Sequence, residues 1–125
     1  MAAILIVDDD DTFRDVLHRT LIAMGHNVVQ ARNGAEAIAS FQKTKVDLVI
    51  TDLLMPEKDG FETIRRFRKL SPGLKIIAMS GGGQIGPALY LDLAEQLGAG
   101  SVLVKPFSTD DLTAAVTKAF SAEHS

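Results

Sequence analysis

Val49-Ile50-Thr51-Asp52-Leu53-Leu54-Met55-Pro56 is an apolar run that halts at one carboxylate and then turns. A short Val, Ile and Leu stretch closed by Pro56 and the later Asp59-Gly60 pair reads as a fully buried strand, Val46 to Thr51, that delivers Asp52 to its carboxyl end. Open α/β sheets bind ligands in the crevice beyond the carboxyl ends of their strands. Asp52 is therefore the first candidate for chemistry, and the other strand ends are where its partners must be sought.

Upstream, Ala3-Ile4-Leu5-Ile6-Val7 is a buried strand that runs into Asp8-Asp9-Asp10-Asp11. Phe13, Val16, Leu17, Thr20, Leu21 and Met24 then recur at helical spacing, with Gly25 as the C-cap. Asn27 to Ala31 predicts a short strand. Asn33 followed by Glu36 predicts a capping box, opening a helix that turns Ala37, Ile38 and Phe41 inward.

Downstream, Gly60 to Leu70 predicts a helix with Ile64 and Phe67 on its core face and Arg65, Arg66, Arg68 and Lys69 as a solvated basic face. Leu74 to Met79 predicts a strand ending at Ser80, followed by the loop Gly81-Gly82-Gly83. Pro87 lies near the start of a helix carrying Tyr90, Leu93, Ala94 and Leu97. Ser101 to Val104 predicts a strand ending at Lys105-Pro106. Ser108 with Asp111 forms another capping box, and Leu112, Ala115, Val116, Ala119 and Phe120 face inward from the last helix. Five strands alternating with five helices predict an α/β doubly wound fold, a five-stranded parallel sheet with helices on both faces.

The chain of 125 residues fits one domain with its core over 3–121 and a polar tail at 122–125. No apolar run approaches the roughly 18 residues of a membrane helix. Met1-Ala2-Ala3 leads straight into the first strand without a basic leader, so a cytoplasmic protein with no membrane partner is expected. With no cysteine, thiol catalysis and Cys-ligated zinc are excluded. A net charge of −3 argues against a broad basic face for nucleic acid. His18, His26 and His124 lack metal-ligand spacing and are expected to be exposed.

Four strands end in polar groups, at Asp8 and Asp9, Asp52, Ser80 and Lys105, which a doubly wound sheet can bring together. Carboxylates so gathered repel, by on the order of 4 kcal/mol for two charges about 4 Å apart at an effective dielectric of 20. A divalent cation offsets this, and an all-oxygen site that leaves positions to water suits Mg²⁺ (or Mn²⁺). Lys105 adds a fixed positive charge and Ser80 a hydroxyl. Carboxylate nucleophile, metal, ammonium and hydroxyl are the parts that stabilise a transferring phosphoryl group, with Asp52 becoming an acyl phosphate. A hydrogen bond from Ser80 to that group would draw in the glycine loop and alter the neighbouring surface, which makes a switch. Asp10 and Asp11 read as a helix cap.

The chain resembles a response-regulator receiver domain of two-component signalling over essentially its full length. The resemblance rests on Ile4-Leu5-Ile6-Val7-Asp8-Asp9, on Asp52 with Met55-Pro56-Glu57-Lys58-Asp59-Gly60, on Ala78-Met79-Ser80-Gly81, and on Val104-Lys105-Pro106-Phe107. It implies a flavodoxin-like (βα)5 sandwich with Asp52 as phosphoacceptor, and Asp8 and Asp9 as the acidic metal pocket, Asp9 being the direct ligand. The Leu54 backbone carbonyl would complete the protein ligands, and the Lys105-Pro106 peptide would be cis. The implied donor is a histidine kinase, a histidine phosphotransfer protein or a small acyl phosphate. It would dock on the first helix, at Arg14, His18 and Ile22, and on the Phe107-Ser108 loop.

Three positions depart from the family pattern. Val102, three before the lysine, stands where the family has a rotating aromatic switch residue. The Ser80-to-Lys105 spacing is longer, placing extra chain in Gly81 to Gly86, read either as a surface insertion or as a gate over the site. Leu54 and Gly82, two after Asp52 and Ser80, cannot orient an attacking water, which predicts a long-lived phosphoryl group. The short tail after the last helix suggests a standalone receiver, monomeric or dimerising on phosphorylation, that acts on a downstream protein. The rival reading is a haloacid-dehalogenase-like phosphatase with Asp8 as nucleophile and Asp10 as general acid.

Overall fold

The computed structural model describes residues 2–53, 59–81 and 101–121. In chain order these form β1 (Ala3–Val7), α1 (Asp11–Ala23), β2 (Asn27–Ala31), α2 (Gly34–Lys43), β3 (Leu48–Asp52), α3 (Asp59–Leu70), β4 (Lys75–Gly81), β5 (Ser101–Lys105) and α4 (Thr109–Ser121). The expected helix near Pro87, with Tyr90, lies outside the described residues, as do Leu54, Gly82, Gly83 and the tail.

All strand pairs are parallel, and the order is β2-β1-β3-β4-β5. This is the doubly wound, flavodoxin-like sheet expected. The chain steps from β1 outward to β2, then returns across β1 to β3, so the crevice at the switch point opens between the carboxyl ends of β1 and β3. Asp8 and Asp52 stand at those two ends.

Alternation along each strand sends successive side chains to opposite faces. Leu5, Val7, Val49, Ile76 and Ala78 pack with Ala37 and Ile38 of α2 and Ile64 and Phe67 of α3. Ile4, Ile6, Leu48, Ile50, Ile77, Met79 and Leu103 pack with Leu17 and Leu21 of α1 and Leu112, Ala115 and Val116 of α4. Burial on both faces explains why these strands read as continuous apolar runs rather than alternating ones. Phe41 meets Phe67 edge-on, with ring centroids 5.1 Å apart, and ties α2 to α3.

Two expected element boundaries shift for local reasons. β3 begins at Leu48, not Val46, because Asp47 is used as a clamp: its N–H donates to the Ala3 carbonyl at 2.8 Å and its Oδ2 accepts from the Ala3 N–H at 2.9 Å. α3 begins at Asp59, one residue before the expected start at Gly60, so the Asp59-Gly60 pair forms its first turn. A Cβ on Gly60 would fall 2.6 Å from the Leu53 carbonyl oxygen and 2.7 Å from Leu53 Cα, and closer still to the Asp52 carbonyl oxygen. Glycine there lets α3 start directly against the end of β3.

The caps explain the other helix ends. Asp10 Oδ1 accepts from Phe13 N–H at 3.0 Å and opens α1, while Gly25, at φ 95°, donates its N–H to the Ile22 carbonyl and closes it. The Ser108–Asp111 box is reciprocal, with Asp111 N–H on Ser108 Oγ at 3.0 Å and Ser108 N–H on Asp111 Oδ2 at 3.2 Å. The Asn33–Glu36 box is half formed: Asn33 Oδ1 accepts from Glu36 N–H, but Glu36 reaches back to Arg32 N–H instead of Asn33.

Three surface expectations are corrected. Val16 is 57% exposed, since the buried stripe of α1 runs through Arg14, Leu17 and Leu21. Arg68 is half-buried, donating to the Pro72 and Leu74 carbonyls, and its guanidinium is pulled below its usual pKa by burial. His18 and His26 are half-buried rather than exposed; His26 Nδ1 accepts from Ala2 N–H at 3.2 Å, and His18 Nδ1 is buried without a hydrogen-bond partner among the described residues. No described helix is long and apolar enough to cross a membrane.

Candidate functional site

The site follows from strand alternation carried one step too far. Ile4, Ile6 and then Asp8 occupy alternate positions of the first run, as do Leu48, Ile50 and Asp52 in the third and Leu103 and Lys105 in the fifth. Ile6 pairs with Ile50 across β1 and β3, and Leu103 with Met79 across β5 and β4. Each polar residue is therefore the first past a buried apolar stripe on the α1–α4 face, where packing gives way to the crevice.

These ends meet. Lys105 Nζ lies 2.7 Å from Asp8 Oδ2 and 3.4 Å from Asp52 Oδ2. Carboxylate oxygens of Asp8, Asp9 and Asp52 lie within 4.8 Å of one another, with Asp8 and Asp52 buried and Asp9 exposed. An all-oxygen trio with one exposed member offers hard donors and an open side to water, the donor chemistry that Mg²⁺ or Mn²⁺ takes. The ammonium of Lys105 experiences opposing effects. Burial lowers its pKa, but the hydrogen bond and charge of Asp8, with those of Asp52, outweigh burial and hold it above its usual value.

Asp8 is held on three sides. Its Oδ1 accepts from Asp10 N–H at 2.9 Å, its Oδ2 takes Lys105, and its backbone carbonyl accepts from Arg14 Nη1 at 2.7 Å. Arg14 also donates to Gln30 Oε1 at 3.0 Å and pairs with Asp11 at 2.6 Å. The family resemblance implies Arg14 on a docking surface, whereas it is 9% exposed and braces the acidic loop from within. The spacing 14, 17, 21 held the signal, because Arg14 shares the stripe of Leu17 and Leu21. Phe13 was also missed as a site residue. Its ring centroid lies 4.2 Å from Lys105 Nζ, and Phe107 packs against it edge-on at 5.7 Å.

Ser80 is fully buried in β4, one residue past Met79, which pairs with Asp52, and one before Gly81, which pairs with Lys105. It thus stands on the strand between those that carry Asp52 and Lys105. Val102 pairs with Ala78 and packs against the α2–α3 core, and the Lys105-Pro106 peptide is cis. Asp10, the general acid of the phosphatase reading, has Oδ1 committed to capping α1.

Known proteins share this fold and sequence pattern. Residues 4–117 match the family described as response regulator receiver domain. The chain is 38% identical over 118 residues to the transcriptional regulatory protein GlrR of Escherichia coli K12, covering 94% of this chain and 26% of GlrR, so it spans about a quarter of that relative's length. It is 36% identical over 116 residues to the chemotaxis protein CheY of Bacillus subtilis, covering 92% of this chain and 94% of CheY. The crystal structure of response regulator protein TrrA from Thermotoga maritima in complex with Mg²⁺-BeF matches with a TM-score of 0.81 at 33% identity, over 95% of this chain and 99% of TrrA. The chain belongs to the response regulator receiver domain family.

Proposed function

We propose that this receiver domain accepts a phosphoryl group on Asp52 from a phosphohistidine of a histidine kinase or histidine phosphotransfer protein, and relays the signal by phosphorylation-dependent binding of a downstream protein or by passing the group on. The observation that carries this reading is the buried Asp52 carboxylate among Asp8, Asp9 and Lys105. One Asp52 oxygen attacks phosphorus in line as the P–N bond of the donor breaks. The electron pair stays on the imidazole nitrogen, which takes a proton from solvent.

Lys105 neutralises a phosphoryl oxygen, and Ser80 donates a hydrogen bond to another. Asp8, Asp9 and Asp52, with the Leu54 carbonyl, are the residues that would hold Mg²⁺ or Mn²⁺; when bound, the ion offsets the carboxylate repulsion and the charge on the phosphoryl oxygens. The Mg²⁺-BeF complex of TrrA is consistent with that assignment. Exposed Val16 on α1, which lines one surface with Phe107 and Ser108, belongs with exposed Ile22 to the surface offered to the donor, with Arg14 removed from it. Val102 leaves the readout to the chain after Gly81 rather than to an aromatic rotamer.

Incubation with acetyl phosphate and Mg²⁺ should add one phosphoryl group by intact mass, and Asp52→Asn should take none. Labelling retained in Asp52→Asn but abolished in Asp8→Asn would instead establish the phosphatase chemistry.

A further inference from the structure

We propose that Phe13 is a positioning residue for Lys105, holding the ammonium by the face of its ring so that it stands ready for the incoming phosphoryl oxygens. The proposal rests on the reading of Lys105 as the cation of the phosphoacceptor site. A lysine side chain is a flexible stem with a point charge, and two carboxylates on one side fix where the charge goes but not how the stem lies. The ring supplies the missing wall. Lys105 Nζ stands 4.2 Å from the Phe13 centroid, where the negative potential of the ring face attracts a cation.

The ring is itself held. Phe13 lies in the first turn of α1, and its N–H is bound to Asp10 Oδ1, so its Cα is fixed by the helix cap. Phe107, two residues beyond Lys105, meets the ring at 85° and 5.7 Å, which sets its tilt. Phe13 is half-buried, and its face is turned to a charge that a purely space-filling residue would not require. Without the ring, Lys105 is expected to settle further onto Asp8, its nearer partner at 2.7 Å, and away from the oxygens that arrive at Asp52.

The test compares the full chain with Phe13→Leu, which keeps an apolar side chain, and Phe13→Tyr, which keeps the ring. In native protein and Phe13→Tyr, the Lys105 ε-methylene protons should be shifted upfield by the ring current, and in Phe13→Leu that shift should vanish. With acetyl phosphate and saturating Mg²⁺, phosphorylation of Phe13→Leu should slow by about two- to thirty-fold, the range set by a cation–π contact, with Phe13→Tyr restoring most of the rate. A residue that served packing alone would change the melting temperature and leave the phosphorylation rate at its native value. Native-like phosphorylation in Phe13→Leu, unmoved resonances, or failure of Phe13→Tyr to restore the rate would each overturn the proposal. If native protein took no label on Asp52, the phosphoacceptor reading would fail, and the resonance comparison alone would decide the contact.

Discussion

Lys105 leans toward Asp8: its Nζ lies 2.7 Å from Asp8 Oδ2 and 3.4 Å from Asp52 Oδ2. The lysine is thus drawn closer to Asp8 than to Asp52, the proposed phosphoacceptor. Among the described residues the arrangement gathers three acids around one ammonium, and the carboxylates repel one another in the absence of a divalent cation.

Asp52→Asn should therefore melt higher than the native protein in a chelator. Relief of about 1 kcal/mol corresponds to roughly 3–6 °C for a domain of this size. Added Mg²⁺ should stabilise the native protein, by about 2.7 kcal/mol at a hundredfold excess over its dissociation constant, and the Asn variant distinctly less. Paired thermal melts with and without Mg²⁺ measure both effects.

Gly60→Ala should be among the most damaging small substitutions. The added methyl would press on the backbone of Asp52 and Leu53, which cannot rotate away as a side chain would. A loss of about 1–3 kcal/mol in urea denaturation is expected, the range for overpacking, together with weaker Mg²⁺ binding as the end of β3 is displaced.

Arg14→Leu should cost about 1.5–3 kcal/mol, the range for hydrogen bonds to a charged group, because the Asp8 carbonyl and Gln30 lose their donor. Since the brace acts on the acidic loop, Mg²⁺ affinity should fall alongside stability. A variant with native Mg²⁺ affinity would show that Arg14 supports the helix and not the loop.

His26 gives a pH dependence with a definite sign. Burial lowers its pKa below the ordinary value of about 6.5, so the unfolded chain binds the proton more readily than the folded one. The contribution is fully present above the unfolded value and is lost as pH falls through the folded value. Urea midpoints should decline from neutral pH toward pH 5, and His26→Gln, which keeps an acceptor for Ala2 N–H, should flatten that decline.

Much of the site was legible because strands that are buried on both faces write themselves as apolar runs, and a polar residue ending such a run has few other reasons to be there. Asp8, Asp52 and Lys105 were visible in this way, as were the Asp10 and Ser108 caps. Arg14, Phe13 and Gly60 were not. A buried arginine is counted as surface when only apolar periodicity is scored, which is also how Val16 was drawn into the core. Phe13 reads as packing because a ring's second use, facing a charge, depends on a residue 92 positions away. Gly60 reads as a turn because nothing in its neighbours announces how closely another backbone will pass.

The placement of each charged group at the end of an alternating apolar stripe makes the site's accuracy a matter of tolerances set elsewhere. Ile6, Ile50 and Leu103 carry no polar group, yet each is the last fitted joint on its face before Asp8, Asp52 or Lys105. Play at those joints would reach the charges undiminished, whereas equal play at Leu5 or Val49, which fasten the opposite layer, would leave their spacing largely alone. Drift in Ile6, Ile50 and Leu103 is thus a quiet route by which the same set of charged groups can be retuned without replacing any of them.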